Sequence, residues 1–299
     1  MKAWVLAATI VLSVPAAQAD RNGRIVVTVT NEHGGPVAGL TASDFSVAVD
    51  SHGADIVSVS SEPEPLSLAV IFDHSASQAG NLGMRRLPED AKDALLKVVR
   101  PGDSVRFGVM SGGVTMRAPV GVTRREMESV VDTLPEPVSY GASPLWDAVD
   151  AGVQSLASAP GRRLIVIATD GRSTGSRLSA EEAARNAALN HVAVSFIDEG
   201  GTSVLRQDTS SNIAVRASPV LEWVSRLTGG RYVLDPFATG KAHRVSADSE
   251  IANAVADERV HYTLTVPVPD DKQFHEIRVR VLLPGCTVRA PSVIRSDPQ

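Results

Sequence analysis

The sequence predicts an α/β protein with a doubly wound, mostly parallel sheet and a small β-sandwich formed by its N- and C-terminal strands. From residue 66 to about 234, short apolar runs alternate with segments of helical periodicity, which is typical of a parallel sheet covered on both faces. Both ends of the chain instead alternate β-branched and polar residues. Because a lone N-terminal hairpin would be only marginally stable, we expect the two ends to meet in one sandwich.

Composition narrows the class of protein. The 299 residues are 43% hydrophobic and 21% charged, which is globular composition and excludes a disordered tail or a collagen-like repeat. The formal charge is −5 and no basic stripe is present, so we expect no nucleic-acid partner. Cys286 is the only cysteine, so the chain can form no internal disulfide, and we expect this residue to be a small buried hydrophobe.

The first residues have the pattern of a secretory leader. Lys2 precedes an apolar run over 3–12, and small residues end at Ala19. The pattern predicts a signal peptide over 1–19, cleaved after Ala19, and hence a secreted or periplasmic protein; an uncleaved anchor is the alternative. The apolar run is shorter than the roughly 20 residues of a spanning helix, so we expect no transmembrane span in the mature chain.

The elements follow in order from residue 20. Residues 20–64 are assigned to an N-terminal β segment, and 246–299 to a C-terminal helix and β segment that packs with the N-terminal strands. A central domain over 65–245 lies between them. Its strands are predicted at 68–72, 105–110, 164–168, 192–197 and 232–234, and its helices at 91–99, 123–134, 146–156, 179–190 and 219–227.

Helix boundaries carry their own signals. Thr123 with Glu126, and Ser179 with Glu182, have the spacing of a capping box, in which each side chain accepts a hydrogen bond from the other residue's backbone N–H. Each pair therefore predicts the start of a helix. Gly229 follows the last apolar residue of another helix and predicts its C-terminal end.

A cluster of oxygen-bearing side chains follows the first central strand. Asp73, Ser75 and Ser77 form a D-x-S-x-S pattern at the carboxyl end of a strand, where open α/β sheets bind ligands. A carboxylate and two hydroxyls on one tight loop suit a hard cation such as Mg²⁺. Asp and Ser are also preferred helix N-caps, so this pattern alone leaves capping open as an alternative.

Two further segments favour a metal site. Ser143 lies in a G-A-S-P run directly before a predicted helix, and Asp170 lies in a T-D-G run that ends a buried strand. Together with D-x-S-x-S, these segments resemble the metal-ion-dependent adhesion site (MIDAS) of von Willebrand factor type A (vWA) domains. The three segments stand in the matching order, each at the expected end of an element. The implied fold is the Rossmann-like fold of vWA domains.

The resemblance extends beyond the motif. It covers residues 66 to about 240, and the G-L-T-A-S-D-F run at 39–45 is similar to the start of bacterial exported VWFA-related proteins. The runs at 262–264 and 275–280 are similar to the end of those proteins. The likeness is therefore close to full length after the leader.

The resemblance implies a bound divalent cation, Mg²⁺ or else Mn²⁺ or Ca²⁺. Ser75, Ser77 and Ser143 would hold it directly, and Asp73 and Asp170 directly or through water. Such a site leaves one coordination position for an Asp or Glu carboxylate of a protein partner. Ser143 stands where the family has Thr, so it supplies the same oxygen without the methyl group that stiffens the side chain.

The expected function is cation-dependent adhesion to a protein partner, without catalysis. One alternative is a scaffold or assembly factor in which the cation is structural. Another is a metal-dependent hydrolase with Ser75 as nucleophile and His74 nearby, but the sequence has no G-x-S-x-G elbow. We expect His74 to face solvent, and we expect Asp147 to cap its helix or to pair near the helix start rather than bind metal. The polar segment 199–218 is either a flexible insertion or a partner-recognition loop.

Overall fold

The computed structural model describes residues 20–78, 82–138, 140–199, 218–234 and 246–296. The predicted signal peptide therefore lies outside the described residues, as does nearly all of the polar segment 199–218. The helices are α1 (Leu82–Leu95), α2 (Arg124–Val131), α3 (Leu145–Leu156), α4 (Ala180–Leu189), α5 (Pro219–Thr228) and α6 (Ala247–Asp257). Of the helices in these ranges, none is both long enough and apolar enough to cross a membrane.

The strands of the described residues form three sheets. They are β1 (Asp20–Asn31), β2 (Phe45–Val49), β3 (His52–Ala54), β4 (Ser58–Ser60), β5 (Leu66–Asp73), β6 (Ser104–Met110), β7 (Val114–Met116), β8 (Arg162–Thr169), β9 (Val192–Asp198), β10 (Tyr232–Leu234), β11 (His261–Pro269), β12 (His275–Val281), β13 (Cys286–Arg289) and β14 (Val293–Ile294).

The central sheet confirms the predicted fold class. Its strand order is β10-β9-β8-β5-β6-β7, and all neighbours are parallel except the antiparallel edge strand β7. Residues of β5 alternate between two apolar clusters, with Val70 in one and Ile71 in the other. Helices α1, α2 and α6 cover the first face, and α3, α4 and α5 cover the second. Because both faces are buried, the strands read as continuous apolar runs.

Helix α6 differs from the prediction. It was expected to pack with the N-terminal strands, but Ile251, Ala254 and Val255 belong to the core of the central sheet, beside α1. These three residues have the i, i+3, i+4 spacing of one helix face, so their burial directs the whole helix onto the sheet.

The predicted helix signals are confirmed. Thr123 and Glu126 form a capping box at α2, as do Ser179 and Glu182 at α4. Gly229 ends α5 with φ 78°, a left-handed conformation that glycine adopts without strain. Local sequence is sufficient at these boundaries because the donor and acceptor lie three residues apart.

The N- and C-terminal segments pair with each other. Two four-stranded sheets, β13-β1-β11-β4 and β14-β12-β2-β3, combine strands from both ends of the chain, and we call them the terminal sheets. Inward-facing residues of both sheets share one apolar cluster, in which the Phe45 and Tyr262 ring centroids lie 5.6 Å apart. Cys286 is half-buried rather than buried, because β13 is an edge strand.

A buried charge cluster joins the central sheet to the terminal sheets. The Nε of Arg162, at the start of β8, donates to Glu258 Oε2 at 2.7 Å, and Arg289 Nη2 of β13 lies 3.0 Å from Glu258 Oε1. Burial alone would raise the pKa of Glu258, but the two guanidinium groups hold it below its usual range. Glu258 is therefore ionised, and it pairs with one arginine of the central sheet and one arginine of the terminal sheets.

The terminal sheets contain a histidine between two carboxylates. His275 Nδ1 lies 2.7 Å from Asp50 Oδ2, and Nε2 lies 3.0 Å from Asp271 Oδ1. Burial by itself lowers the pKa of His275, but the two carboxylates outweigh it and the pKa is raised. The same contacts lower the pKa values of Asp50 and Asp271.

We predict that His275 stabilises the protein in a pH-dependent way. Its contribution is fully present below the unfolded-state pKa of about 6.5 and is lost as pH rises through the higher folded-state pKa. His275→Gln should therefore lower the free energy of unfolding more at pH 5.5 than at pH 8.5, measured by urea unfolding. The exposed His52→Gln is the control. An equal loss at both pH values would contradict the prediction.

Candidate metal centre

The register of two central strands brings the first site residues together. Parallel strands β5 and β8 are neighbours, with Phe72 opposite Ala168. Both strands therefore end at the same edge of the sheet, and Asp73 at the end of β5 lies next to Thr169 at the end of β8. Asp170 follows Thr169 directly, and both aspartates are buried. Two carboxylates thus meet at the carboxyl edge of the sheet.

Asp73 is held by neutral donors. Its Oδ2 accepts from the Thr169 hydroxyl at 2.7 Å, and its Oδ1 accepts from the Ser75 N–H at 3.0 Å. No ion pair to Asp73 is found in the described part of the chain. Burial raises the pKa of this carboxyl, and the charge of Asp170 adds to the increase. An ionised Asp73 is therefore costly here unless a cation compensates it.

The two serines of the D-x-S-x-S pattern supply hydroxyls beside Asp73. Ser75 Oγ and Ser77 Oγ lie 3.2 Å apart at the start of a short 3₁₀ turn, Ala76–Gln78. Ser75 is buried, whereas Ser77 is exposed to solvent. The hydroxyl pair therefore extends from the buried carboxylate towards the surface.

Ser143 is held against the segment that follows Asp170. Its N–H donates to Thr174 Oγ1 at 2.9 Å, and its carbonyl accepts from the Thr174 N–H at 2.8 Å. On the other side, Gly141 has φ 122°, and a Cβ there would lie 3.2 Å from Gly112 Cα. The close approach of these two glycines leaves little space for a larger residue at position 141. Ser143 is buried and fixed from both sides.

The Asp170 carboxylate has an exposed basic neighbour. Its Oδ1 accepts from the Arg172 N–H at 3.0 Å, and Arg172 Nε lies 3.8 Å from its Oδ2. The Arg172 side chain is exposed, so water screens its charge. The negative charge of Asp170 is compensated only weakly by this contact.

Asp147 pairs near the start of α3, as the sequence predicted. Its Oδ1 accepts from the N–H groups of Arg177 and Leu178, at 2.9 and 3.1 Å. Burial alone would raise the pKa of Asp147, but these bonds and the Arg177 guanidinium hold it below its usual range. With the Trp146 N–H donating to Ser176 Oγ, these contacts fasten the start of α3 to the segment after Asp170.

Sequence reasoning missed the residues that position the ligands. Thr169 orients Asp73, and Thr174 and Ser176 anchor the Ser143 segment. The available signal was the density of hydroxyl residues in the run T-D-G-R-S-T-G-S at 169–176. That run also fits an ordinary polar loop, so only the structure identifies the partner of each hydroxyl.

His74 is buried, whereas we expected it to face solvent. Its N–H donates to Met110 O at 3.0 Å, so the backbone continues the strand for one more residue. The side chain therefore falls on the same face as Phe72, two residues earlier, and the two rings stack at 6.4 Å. Its Nδ1 lies 2.7 Å from Pro135 O, and burial lowers its pKa.

The donor set fits a hard cation. The described residues contain no group of three or more His, Cys, Asp and Glu side chains arranged to hold a metal ion, so a cation here would take hydroxyl as well as carboxylate ligands. All donors are oxygen atoms, which suits Mg²⁺, Ca²⁺ or Mn²⁺. The protein compensates the charges of the two buried carboxylates only weakly, which also favours a bound cation.

Solved structures contain the same fold. A von Willebrand factor type A structure from Catenulispora acidiphila matches with a TM-score of 0.50 at 10% identity, over 94% of this chain and 75% of that chain. The chain has the von Willebrand factor type A fold. At this identity the similarity shows the vWA fold alone. No protein-family model matches the sequence, and no curated protein matches it.

Two other vWA-like matches have TM-scores below 0.5 and add nothing to the assignment. BatB from Bacteroides thetaiotaomicron matches at 0.46 with 21% identity, over 64% of this chain and 98% of that chain. Proximal thread matrix protein 1 from the mussel byssus, with a zinc-occupied MIDAS motif, matches at 0.48 with 14% identity, over 74% of this chain and 50% of that chain.

We predict that Asp73→Asn uncouples the stability of this vWA fold from divalent cations. The change removes a buried charge but retains an oxygen acceptor and the side-chain volume, so in EDTA the variant should be at least as stable as wild type. In Mg²⁺ at about 100 times its Kd, wild type should gain about 2.7 kcal/mol and the variant almost nothing. Thermal unfolding with and without Mg²⁺ measures both effects.

The matched control is Asp93→Asn, which removes an exposed carboxylate that pairs with Arg124 between α1 and α2. This variant should change stability only slightly in EDTA and should keep the gain on adding Mg²⁺. An Asp73→Asn variant that still gains stability from Mg²⁺ would contradict the assignment of Asp73 to the metal centre.

Proposed function

We propose that this protein binds a divalent cation and, through it, a carboxylate of a protein partner outside the cytoplasm. The ligands are Asp73, Ser75, Ser77, Ser143 and Asp170. The observation that supports this most is the Asp73 carboxylate, which is fully buried beside Asp170 and has no basic partner in the described residues. A cation at this edge would compensate both charges.

The ligand types support a role in adhesion. Three of the five ligands are neutral hydroxyls, so a bound cation would keep much of its charge and would favour an added carboxylate ligand. The exposed Ser77 lies on the solvent side of the cluster. A partner Asp or Glu is therefore the favoured occupant of the remaining coordination position.

The surface around the ligands also suits an acidic partner. Tyr140, three residues before Ser143, is 80% exposed, and the Arg172 side chain is exposed beside Asp170. Tyrosine and arginine are enriched among the residues that dominate interface energies. The Arg172 charge would also steer an acidic segment towards the site.

We propose that the protein itself performs no catalysis. The hydrolase alternative needs His74 as a base for Ser75, yet His74 Nδ1 is engaged with Pro135 O and the ring lies in the core against Phe72. No hydrogen bond joins His74 to Ser75 in the described part of the chain. This geometry favours binding over hydrolysis.

We also propose that the protein is exported, on the basis of the leader pattern at 1–19. Expression in a bacterial host, followed by mass spectrometry of the mature N-terminus, tests this step. A mature chain beginning at Asp20 in the periplasm or medium is expected. Full-length chain retained in the cytoplasm would contradict it.

We predict that partner capture depends on the cation. Immobilised protein should capture its partner from the host envelope fraction in Mg²⁺ but not in EDTA, and Asp73→Ala should abolish capture. A Glu-containing competitor peptide should reduce capture, whereas its Gln counterpart should not, because only the carboxylate can be a ligand. Asp55→Ala, an exposed change between β3 and β4 in the terminal sheets, is the control.

The two binding hypotheses differ in this assay. If the cation is only structural, as in the scaffold alternative, capture should follow the folded fraction and should be insensitive to the Glu peptide. Capture retained by folded Asp73→Ala would contradict the adhesion proposal directly. Turnover on a panel of hydrolase substrates that disappears in Ser75→Ala would favour the enzyme alternative.

We predict that Ser143 contributes one cation ligand. Ser143→Ala should weaken Mn²⁺ binding by about tenfold or more, in the range found when a metal site loses a supporting group. Ser143→Thr should retain binding, because it keeps the oxygen and restricts its rotamers. Isothermal titration calorimetry measures both, with Ser173→Ala as a hydroxyl control on the adjacent segment. Unchanged affinity in Ser143→Ala would contradict the assignment.

A further inference from the structure

Two cavities lie where the central domain meets the terminal sheets. Their volumes are about 240 and 450 Å³, and we call them the junction cavities. They share the lining residues Arg24, Val26, Arg162 and His191. Arg162 begins β8 and His191 immediately precedes β9, so the cavities lie at the amino ends of the parallel strands. The metal centre lies at the opposite edge of the sheet.

The charge of the junction cavities is opposite to that of the chain. Among the described residues, each ionisable residue that lines the smaller cavity is basic, namely Arg24, Arg162, His191 and Arg295, and Arg162 also pairs with the buried Glu258. The larger cavity adds Arg163 and one carboxylate, Glu64. The chain as a whole has a formal charge of −5, so composition does not account for this local excess of basic residues. An anionic ligand is electrostatically favoured.

The smaller cavity also has an apolar wall. Val26, Val192, Phe274 and Ile294 are among its lining residues. The Arg185 guanidinium lies 5.4 Å from the centroid of the Phe274 ring, on which it stacks. A purely inorganic anion would leave this wall without a partner. The lining therefore suits a ligand that combines an anionic group with an apolar body.

The turn between α4 and β9 places His191 beside both cavities. His191 follows the last residue of α4 by two positions and has φ 51°, a left-handed conformation that glycine adopts at lower cost. This is the left-handed conformation that commonly follows a helix C-cap, and it turns the chain from α4 into β9.

We propose that the junction cavities bind a small amphipathic organic anion. Arg24, His191 and Arg295 would meet its anionic group, and Val26 and the Phe274 wall would cover its apolar body. This site is separate from the metal centre and does not depend on the proposed adhesion function.

The test uses octanoate as the probe, titrated into the full chain by calorimetry. Saturable binding with one octanoate per chain is expected. The neutral 1-octanol and the cationic octyltrimethylammonium have the same apolar chain and should bind at least about tenfold more weakly, because they lack the charge-assisted hydrogen bonds. Absence of octanoate binding, or equal binding of the ammonium probe, would overturn the proposal.

Matched variants localise the binding. The double variant Arg24→Gln/Arg295→Gln should weaken octanoate binding by about tenfold or more, whereas Arg24→Lys/Arg295→Lys should retain most of it. Arg280→Gln, the same change on the exposed face of β12, is the control and should bind like wild type. Circular dichroism checks that each variant is folded. Equal affinity in the double Gln variant and wild type would overturn the assignment.

Two further measurements separate this site from its rivals. Octanoate binding should be unchanged in EDTA and in Asp73→Asn, so failure of the adhesion proposal would leave this result intact. Sedimentation should give the same mass with and without octanoate. A dimer that octanoate dissociates would overturn the proposal, since a second copy of the chain would then be the natural occupant of this face.

Discussion

The buried carboxylate of Asp73 is the constraint on which the candidate metal centre depends. An ionised carboxylate is rarely removed from water without a cationic partner, and here the neighbouring buried charge is the like charge of Asp170. Among the described residues, the donors that bond to Asp73 are neutral and belong to Thr169 and Ser75. The arrangement is unfavourable for a protein alone and favourable around a cation. The candidate hydroxyl ligands and the loops that carry them surround the position beside this carboxylate.

The site is rigid because its loops are bonded to one another. Ser143, Trp146 and Asp147, at the start of α3, each bond to the segment that follows Asp170. A cation would therefore meet ligands that are already positioned, which lowers the entropy cost of binding. These contacts hold the Ser143 backbone in place, although its side chain lacks the methyl group with which a threonine would restrict its rotamers.

The two edges of the central sheet have opposite chemical character. Its carboxyl edge gathers carboxylates and hydroxyls, whereas its amino edge, at the junction with the terminal sheets, gathers arginines around an apolar wall. The buried Glu258 between Arg162 and Arg289 joins the central sheet to the terminal sheets at this edge. The terminal sheets therefore contribute one wall of the junction cavities.

Local sequence determined the parallel sheet, the capping boxes of α2 and α4 and the five candidate ligands, because these features depend on periodicity, on spacings of a few residues and on a known motif. The tertiary structure alone decided the placement of α6 on the central core, the burial of His74 and the contacts of Thr169 and Thr174 with the ligand segments. It also decided the junction cavities, whose basic residues lie as far apart as Arg24 and Arg295 along the chain. Such features depend on contacts between segments that are distant in the sequence, and no local sequence pattern specifies those contacts.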